Sequence, residues 1–215
     1  MKYIIGIDEV GRGPIAGPVA VGAFVFLKPE AYRHFAGVKE SKQLSEKKRE
    51  EWFNKIEEIR NKGLKNIEDR IIDFAVVFQS EKVIDEKGIS FAIKTALNRA
   101  LEKLNIDKDS ARILLDGGLH APIEYRDQET IIKGDEKEDI IALASICAKV
   151  LRDRKMREYG EQYMEYGFES HKGYGTKAHY EAIHRKGLTD IHRLTFIKSI
   201  DKVIGKDIAK NANIR

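Results

Sequence analysis

Tyr3-Ile4-Ile5-Gly6-Ile7 is an apolar run that stops abruptly at Asp8-Glu9, and Gly11-Arg12-Gly13-Pro14 follows at once. Read by its period, Lys2 to Asp8 is a buried strand and the glycine-rich stretch is a turn. Two carboxylates at the mouth of a buried strand are costly unless positive charge meets them. Other apolar runs leave in the same way. "RILLDGG" reads as a short strand from Arg112 to Asp116, stopped by Gly117-Gly118. "TIIKGDEKE" reads as a strand from Glu129 to Lys133, with Asp135 just beyond it.

Around these runs the rest of the chain is legible in outline. Pro18 to Phe26 and Asp73 to Gln79 read as two more strands. Ser45 is placed to cap a helix to about Asn61, with Trp52, Phe53, Ile56 and Ile59 at helical spacing. A second helix, about Gly88 to Leu104, lines Ile93, Ala96, Leu97, Ala100, Leu101 and Leu104 along one face. A long helix begins near Glu138 and continues past Arg154. The order is a strand-rich start, an α/β middle and a helical end.

In an α/β sheet, ligands sit at the carboxyl ends of the parallel strands. Asp8, Glu9, Asp116 and Asp135 can therefore converge on one crevice. Oxygen ligands without cysteine or a nearby histidine suit a hard cation, Mg²⁺ or Mn²⁺. Four carboxylates also suit two ions roughly 4 Å apart, the arrangement for phosphodiester cleavage. The competing reading is ordinary turn chemistry, which weighs about equally for Asp116 before its two glycines. It fits Asp8-Glu9 poorly, because glutamate is a weak turn former.

Composition bounds the partners. The 215 residues carry a net charge of +4, but from Lys149 onward 15 Lys and Arg face 9 Asp and Glu. A basic last third is either solvated surface or a phosphate-facing surface. The one cysteine, Cys147, leaves no internal disulfide and no cysteine zinc cluster, and fits a reducing cytoplasm. It lies among Ala144, Ile146 and Ala148 and reads as core. No apolar stretch reaches the roughly 18 residues of a membrane span. A strand starting at Lys2 leaves no place for a signal peptide.

Five motifs together resemble one family. "GIDEVGRGPIAGPV", "LLDGG", "KGDEKEDIIALASICAKVLRDR", "SHKGYGTKAHYEAIHRKG" and "IHRLTF" are similar, in order, to the signatures of ribonuclease HII, in its bacterial form. The resemblance runs from residue 2 to about residue 200. With its first strand starting at residue 2, the chain is expected to be of this form and not ribonuclease HIII, which carries an additional N-terminal domain.

The resemblance implies a ribonuclease H-like fold. A five-stranded mixed sheet, three antiparallel strands then two parallel, is flanked by helices. Residues 1–215 would form a single domain, with a catalytic core to about 160 and a helical substrate-binding extension over about 161–215. It also implies that Asp8, Glu9, Asp116 and Asp135 hold two Mg²⁺ or Mn²⁺ ions. Through its backbone, the Gly11-Arg12-Gly13 turn would read a ribonucleotide 2′-hydroxyl. Tyr174 would stack on the deoxyribose past the RNA–DNA junction, with His171 and Lys172 beside it. The implied reaction is hydrolysis on the 5′ side of a ribonucleotide, leaving a 3′-hydroxyl and a 5′-phosphate. Its substrates would be RNA/DNA hybrids and DNA duplexes containing ribonucleotides, met by a cytoplasmic monomer with no obligate protein partner.

Other residues are assigned with help from the resemblance. Ser145, Lys149 and Arg152 recur at intervals of four and three and share a helix face. Ser145 and Lys149 are expected to face nucleic acid, and Arg152 or Arg154 to pair with carboxylates. Ser41-Lys42 resembles the family's Asp-Ser-Lys, with Lys42 on a phosphate, though Glu40 stands where the family has aspartate. Two rival readings remain open at this stage, a non-catalytic nucleic-acid binder and another nuclease or recombinase of the ribonuclease H superfamily.

Overall fold

The computed structural model describes residues 2–38, 44–62 and 69–197. Two compact units emerge. The first comprises residues 1–10, 20–78 and 93–151, and the second residues 11–19, 79–92 and 152–215.

The sheet is built from β1 (Tyr3–Val10), β2 (Val19–Phe26), β3 (Ile72–Gln79), β4 (Ala111–Asp116) and β5 (Gln128–Ile131), in the spatial order β3-β2-β1-β4-β5. β1 runs antiparallel to β2 and parallel to β4, and β4 runs parallel to β5. This is the mixed five-stranded α/β arrangement expected. Ile5, Ile7, Ile113 and Leu115 are fully buried on one face of the central strands, and on the other Leu114 is 7% exposed, so both faces are covered.

Helix α1 (Glu46–Asn61) starts where expected, with the Ser45 hydroxyl accepting from the Lys48 amide. Phe53 and Ile56 point into the core. Helix α3 (Ile89–Leu104) buries the predicted stripe from Ile93 to Leu104. Helix α5 (Asp139–Gln162) lies tight on the sheet at its N-terminal end. A Cβ on Gly6 would stand 2.3 Å from the Ile140 carbonyl oxygen, and one on Gly22 2.4 Å from that of Ala144. Any side chain at either position would push the helix off the sheet.

Two elements depart from the sequence reading. Helix α2 (Glu81–Lys87) precedes α3, and Gly88 separates them at φ 84°. β5 ends at Ile131, two residues earlier than expected. Lys133 then turns through φ 54°, and the one-turn helix α4 (Gly134–Lys137) carries Asp135. Asp135 therefore sits on a helical turn, not at the strand end.

The second unit gathers residues 11–19, α2, the end of α5 from Arg152, α6 (Phe168–His171) and α7 (Lys177–Lys186). Its core includes Ile15, Ala16, Met156, Phe168 and Ile183. Ile15 and Ala16 donate to the Gly173 carbonyl, and Gly17 to that of Ile191.

Candidate active site

The register of the two central strands places the acids. Ile7 lies opposite Leu115 at the end of the parallel β1–β4 pairing, so Asp8 and Asp116 come next, side by side, although β1 runs on past the expected end at Asp8 to Val10 against β2. Asp8 is 3% exposed, and its Oδ1 accepts from the Glu9 amide at 2.7 Å. Asp116 Oδ1 accepts from the Gly134 amide at 2.6 Å, 18 residues away. That bond is no local turn. It draws the start of α4 onto β4 and brings Asp135, 2% exposed, to the same edge. A Cβ on Gly134 would meet Ile141 Cδ1 at 2.6 Å, so a larger residue there would have to displace the end of the Ile141 side chain.

The electrostatics of Asp8 express this convergence. Burial pushes its carboxyl well above the usual carboxylate range. The negative charges of Glu9, Asp116 and Asp135 push it the same way, against a hydrogen bond from the Ser145 hydroxyl. A buried acid held among three others stores repulsion that a cation relieves. The all-oxygen donor set suits Mg²⁺ or Mn²⁺. Among the described residues, no group of three or more His, Cys, Asp or Glu stands close enough together to hold a metal ion as it is.

The second unit presents a different surface. Gly11 has φ 89°, and a Cβ there would fall 2.1 Å from Arg152 Nε. Arg152 and Arg193 are both fully buried. Arg193 donates through Nη2 to the Gly11 carbonyl at 2.7 Å, through Nη1 to Arg12 at 3.1 Å and through Nε to Gly17 at 2.8 Å. Arg152 donates from Nε to Pro18 at 2.9 Å and from Nη1 to Lys172 at 3.1 Å. Burial, then the nearby Arg152, lowers the Arg193 guanidinium to about 10, so it stays charged at neutral pH. Carbonyls disperse that charge where no carboxylate is bonded to it.

This arrangement orients the turn. In a trans peptide the N–H points opposite to the C=O. With the Gly11 and Arg12 carbonyls held inward by Arg193, the Arg12 and Gly13 amides face outward, and both residues are exposed. Beside them the ring of Tyr174, a residue 44% exposed, approaches to 4.0 Å of the position a Gly13 Cβ would take.

A ribonuclease HII family model matches residues 5–199. The chain belongs to the ribonuclease HII family. It is 44% identical over 196 residues to ribonuclease HII of Aliarcobacter butzleri, covering 91% of each chain. The solved structure of ribonuclease H2 from Pyrococcus horikoshii is similar at a TM-score of 0.73 and 27% identity, over 97% of this chain and 100% of that one. The ribonuclease HII in the PCNA complex from Archaeoglobus fulgidus is similar at 0.71 and 25%, over 93% and 96%. The family is one of ribonuclease H endonucleases, and the mixed sheet is its fold.

Several residues read from the sequence for this ribonuclease HII chain lie elsewhere than expected. Ser145 is 1% exposed and bonded to Asp8, so its hydroxyl serves the acid cluster and not an open surface. Arg152 bonds to the Pro18 and Lys172 carbonyls, whereas the carboxylate pairing had been read for Arg152 or Arg154. The Lys172 ammonium turns back to the Glu169 carbonyl at 2.6 Å, and the His171 ring sits between the Tyr166 carbonyl and the Gly173 amide. Lys149 is half-buried. Cys147 is buried, with its thiol pushed up, as a core residue should be. Lys42 and Ser41 lie outside the described residues. Sequence reasoning missed Arg193, His179 and Asp85. The Asp85 carboxylate accepts from the Leu194 amide at 2.8 Å and from the Thr195 amide at 3.0 Å, fixing the backbone beside Arg193.

Proposed function

We propose that this chain hydrolyses the phosphodiester on the 5′ side of a ribonucleotide, in RNA/DNA hybrids and at single ribonucleotides within duplex DNA. The products are a 3′-hydroxyl and a 5′-phosphate. The work it suits is removal of RNA primers and misincorporated ribonucleotides. The observation that carries this reading is Asp8, buried at the strand edge among Glu9, Asp116 and Asp135. A non-catalytic binder has no use for so costly a cluster.

The four acids are the residues we assign to two divalent ions, Mg²⁺ or Mn²⁺. When bound, such ions would polarise the phosphoryl oxygens and lower the pKa of a water. The chain's own groups do the rest. Ser145 holds Asp8 in place by its hydroxyl, and Gly134 does so for Asp116 by its amide. The Arg12 and Gly13 amides are donors fixed in direction before any ligand arrives, which suits an oxygen of the sugar or its phosphate. The 2′-hydroxyl is the group by which a protein tells RNA from DNA. The Tyr174 ring offers an apolar face for the neighbouring deoxyribose. Lys149 is assigned to a phosphate, supported by the basic last third, and Lys42 to another by the likeness of Ser41-Lys42 to the family's Asp-Ser-Lys. A reducing, cytoplasmic setting is what we infer on the single buried thiol, and we assign the chain as a monomer.

The test is cleavage of a duplex with one embedded ribonucleotide, with and without Mg²⁺ or Mn²⁺, reading the ends of the products. A cut on the 3′ side of the ribonucleotide, or a full rate in chelator, would contradict the assignment.

A further inference from the structure

Beneath the Tyr174 turn lies a line of histidines, of which His179 and His192 have no part in the reading above. His192 Nδ1 accepts from the Thr189 amide at 2.9 Å. An amide N–H can only donate, so that nitrogen is bare and the neutral ring carries its proton on Nε2. His192 Nε2 stands 3.1 Å from His179 Nε2. One of the two must donate, and His192 already holds the proton there. His179 Nε2 is then bare, and its own proton sits on Nδ1, 2.9 Å from the Tyr174 carbonyl, which can only accept. The two backbone groups at the ends select the same direction independently. Reversing either tautomer sets two acceptors face to face at Tyr174 or two donors at Thr189.

The rest of the turn is tied into the same cluster. His171 Nδ1 accepts from the Gly173 amide at 3.2 Å, and its ring stacks on His179 with centroids 4.3 Å apart. The Tyr174 amide donates to the His171 carbonyl at 2.9 Å, and the Thr176 amide to the Tyr174 carbonyl at 2.8 Å. Both peptide groups of Tyr174 are thus held.

We propose that His192 and His179 are positioning residues, a neutral relay running from Thr189 to the Tyr174 backbone that aims the exposed Tyr174 ring. The proposal rests on the role given to Tyr174 above. A proton added to either ring puts N–H against N–H, at Thr189 or between the rings. On a protonated His192, Nδ1 could turn to the Thr189 hydroxyl at 2.9 Å or its carbonyl at 3.3 Å, but the Thr189 amide would lose its acceptor. The charged or titratable groups bearing on the pair are His171 and Asp190, the latter accepting from the Tyr163 hydroxyl. Burial lowers His179 to about 4 and, aided by His179, His192 to about 3, so the relay is neutral at pH 7.

Two measurements test it. Two-bond ¹H–¹⁵N correlation spectra of the whole protein at pH 7 should report His179 as the Nδ1–H tautomer and His192 as Nε2–H. A His179 ring protonated on Nε2 refutes the relay, whatever Tyr174 does. Kinetically, His179→Phe keeps the ring and loses the donor, whereas His179→Asn keeps a donor near the Nδ1 position. His179→Phe should lower kcat/KM on a one-ribonucleotide duplex about two- to tenfold, the range for one hydrogen bond, and His179→Asn should recover most of it. The loss should be smaller on an RNA/DNA hybrid and should largely vanish in a Tyr174→Ala background. If Tyr174→Ala itself has no effect, the role of the tyrosine fails and the spectra alone decide the relay. Equal losses on both substrates, or a loss that adds fully to Tyr174→Ala, would leave the histidines as packing and overturn the proposal.

Discussion

Arg193 Nη2 donates to the Gly11 carbonyl at 2.7 Å across 182 residues of sequence. The same guanidinium holds Arg12 and Gly17, so one buried side chain fixes the peptide planes of the turn assigned to the 2′-hydroxyl. Arg193→Lys keeps the charge but cannot reach three carbonyls in a fixed fork. It should destabilise the protein by about 3 kcal/mol, at 1.5–3 kcal/mol for each charged hydrogen bond lost. It should also cost roughly tenfold in kcat/KM on a one-ribonucleotide duplex. Chemical denaturation and steady-state kinetics check the two arms, and unchanged kinetics in a folded variant would remove Arg193 from the reading mechanism.

The acid cluster makes an opposite prediction about stability. Asp8 has its folded pKa raised by burial and by its acidic neighbours. For a carboxyl shifted that way, the stabilising contribution is present below the unfolded pKa and is lost as pH rises through the folded one. At pH 7 without metal, the fold therefore lacks the stability that protonated Asp8 gives it at low pH. Asp8→Asn should raise the melting temperature in chelator at pH 7, and the gain should vanish near pH 3. The same variant, and Asp116→Asn, should abolish turnover at saturating Mg²⁺. Thermal melts and single-turnover cleavage measure both, and near wild-type rates would end the metal assignment.

The histidine pair gives a pH dependence of the other sign. His179 and His192 have folded values of about 4 and about 3, below the 6.5 of an ordinary histidine. Their contribution is full above pH 6.5 and is lost as pH falls toward those values. Two such groups remove on the order of 2–4 kcal/mol between pH 6.5 and 4.5. Urea midpoints for wild type and His192→Gln should converge across that window, because the variant lacks one of the two titrations. Parallel pH profiles would mean that His192 does not titrate with folding.

How much of this could be read from the chain differs by residue. Asp8, Glu9 and Asp116 were legible because an apolar run of strand period that ends in charge is a local signal. The place of Asp135 was not, since it depends on Lys133 taking a left-handed conformation after a strand of only four residues. Helix α2 was missed because the seven residues Glu81–Lys87 are mostly polar and too short for a clear period. Helical spacing correctly put Ser145 and Arg152 on one face of α5, but spacing does not say which way a face looks, and both are buried. Arg193 and Asp85 were invisible for a common reason. Their partners are mostly backbone carbonyls and amides distant in sequence, and a backbone group leaves no letter to read.

Gly11 and Gly13 lie two residues apart in one turn, yet they separate structure from function. Gly11 needs glycine for folding, with φ 89° and Arg152 Nε only 2.1 Å from its missing Cβ. Gly13 does not, since its nearest neighbour is Tyr174 Cε1 at 4.0 Å, an ordinary contact. Gly13→Ala should therefore fold with stability within about 0.5 kcal/mol of wild type, as a change away from packed features does. Its methyl group, however, stands between the outward amides and the tyrosine ring, where the sugar is proposed to lie. Displacing a reacting group by about 1 Å can cost a hundredfold, so kcat/KM on a one-ribonucleotide duplex should fall tenfold to a hundredfold. Tyr174→Ala should fall in the same range, at roughly 1–3 kcal/mol for a lost stack. Tyr174→Phe should stay near wild type, because the ring face is kept. A Gly13→Ala enzyme that melts normally and cleaves at the wild-type rate would show that the ligand approaches by another route, and the assignment of the turn would fall with it.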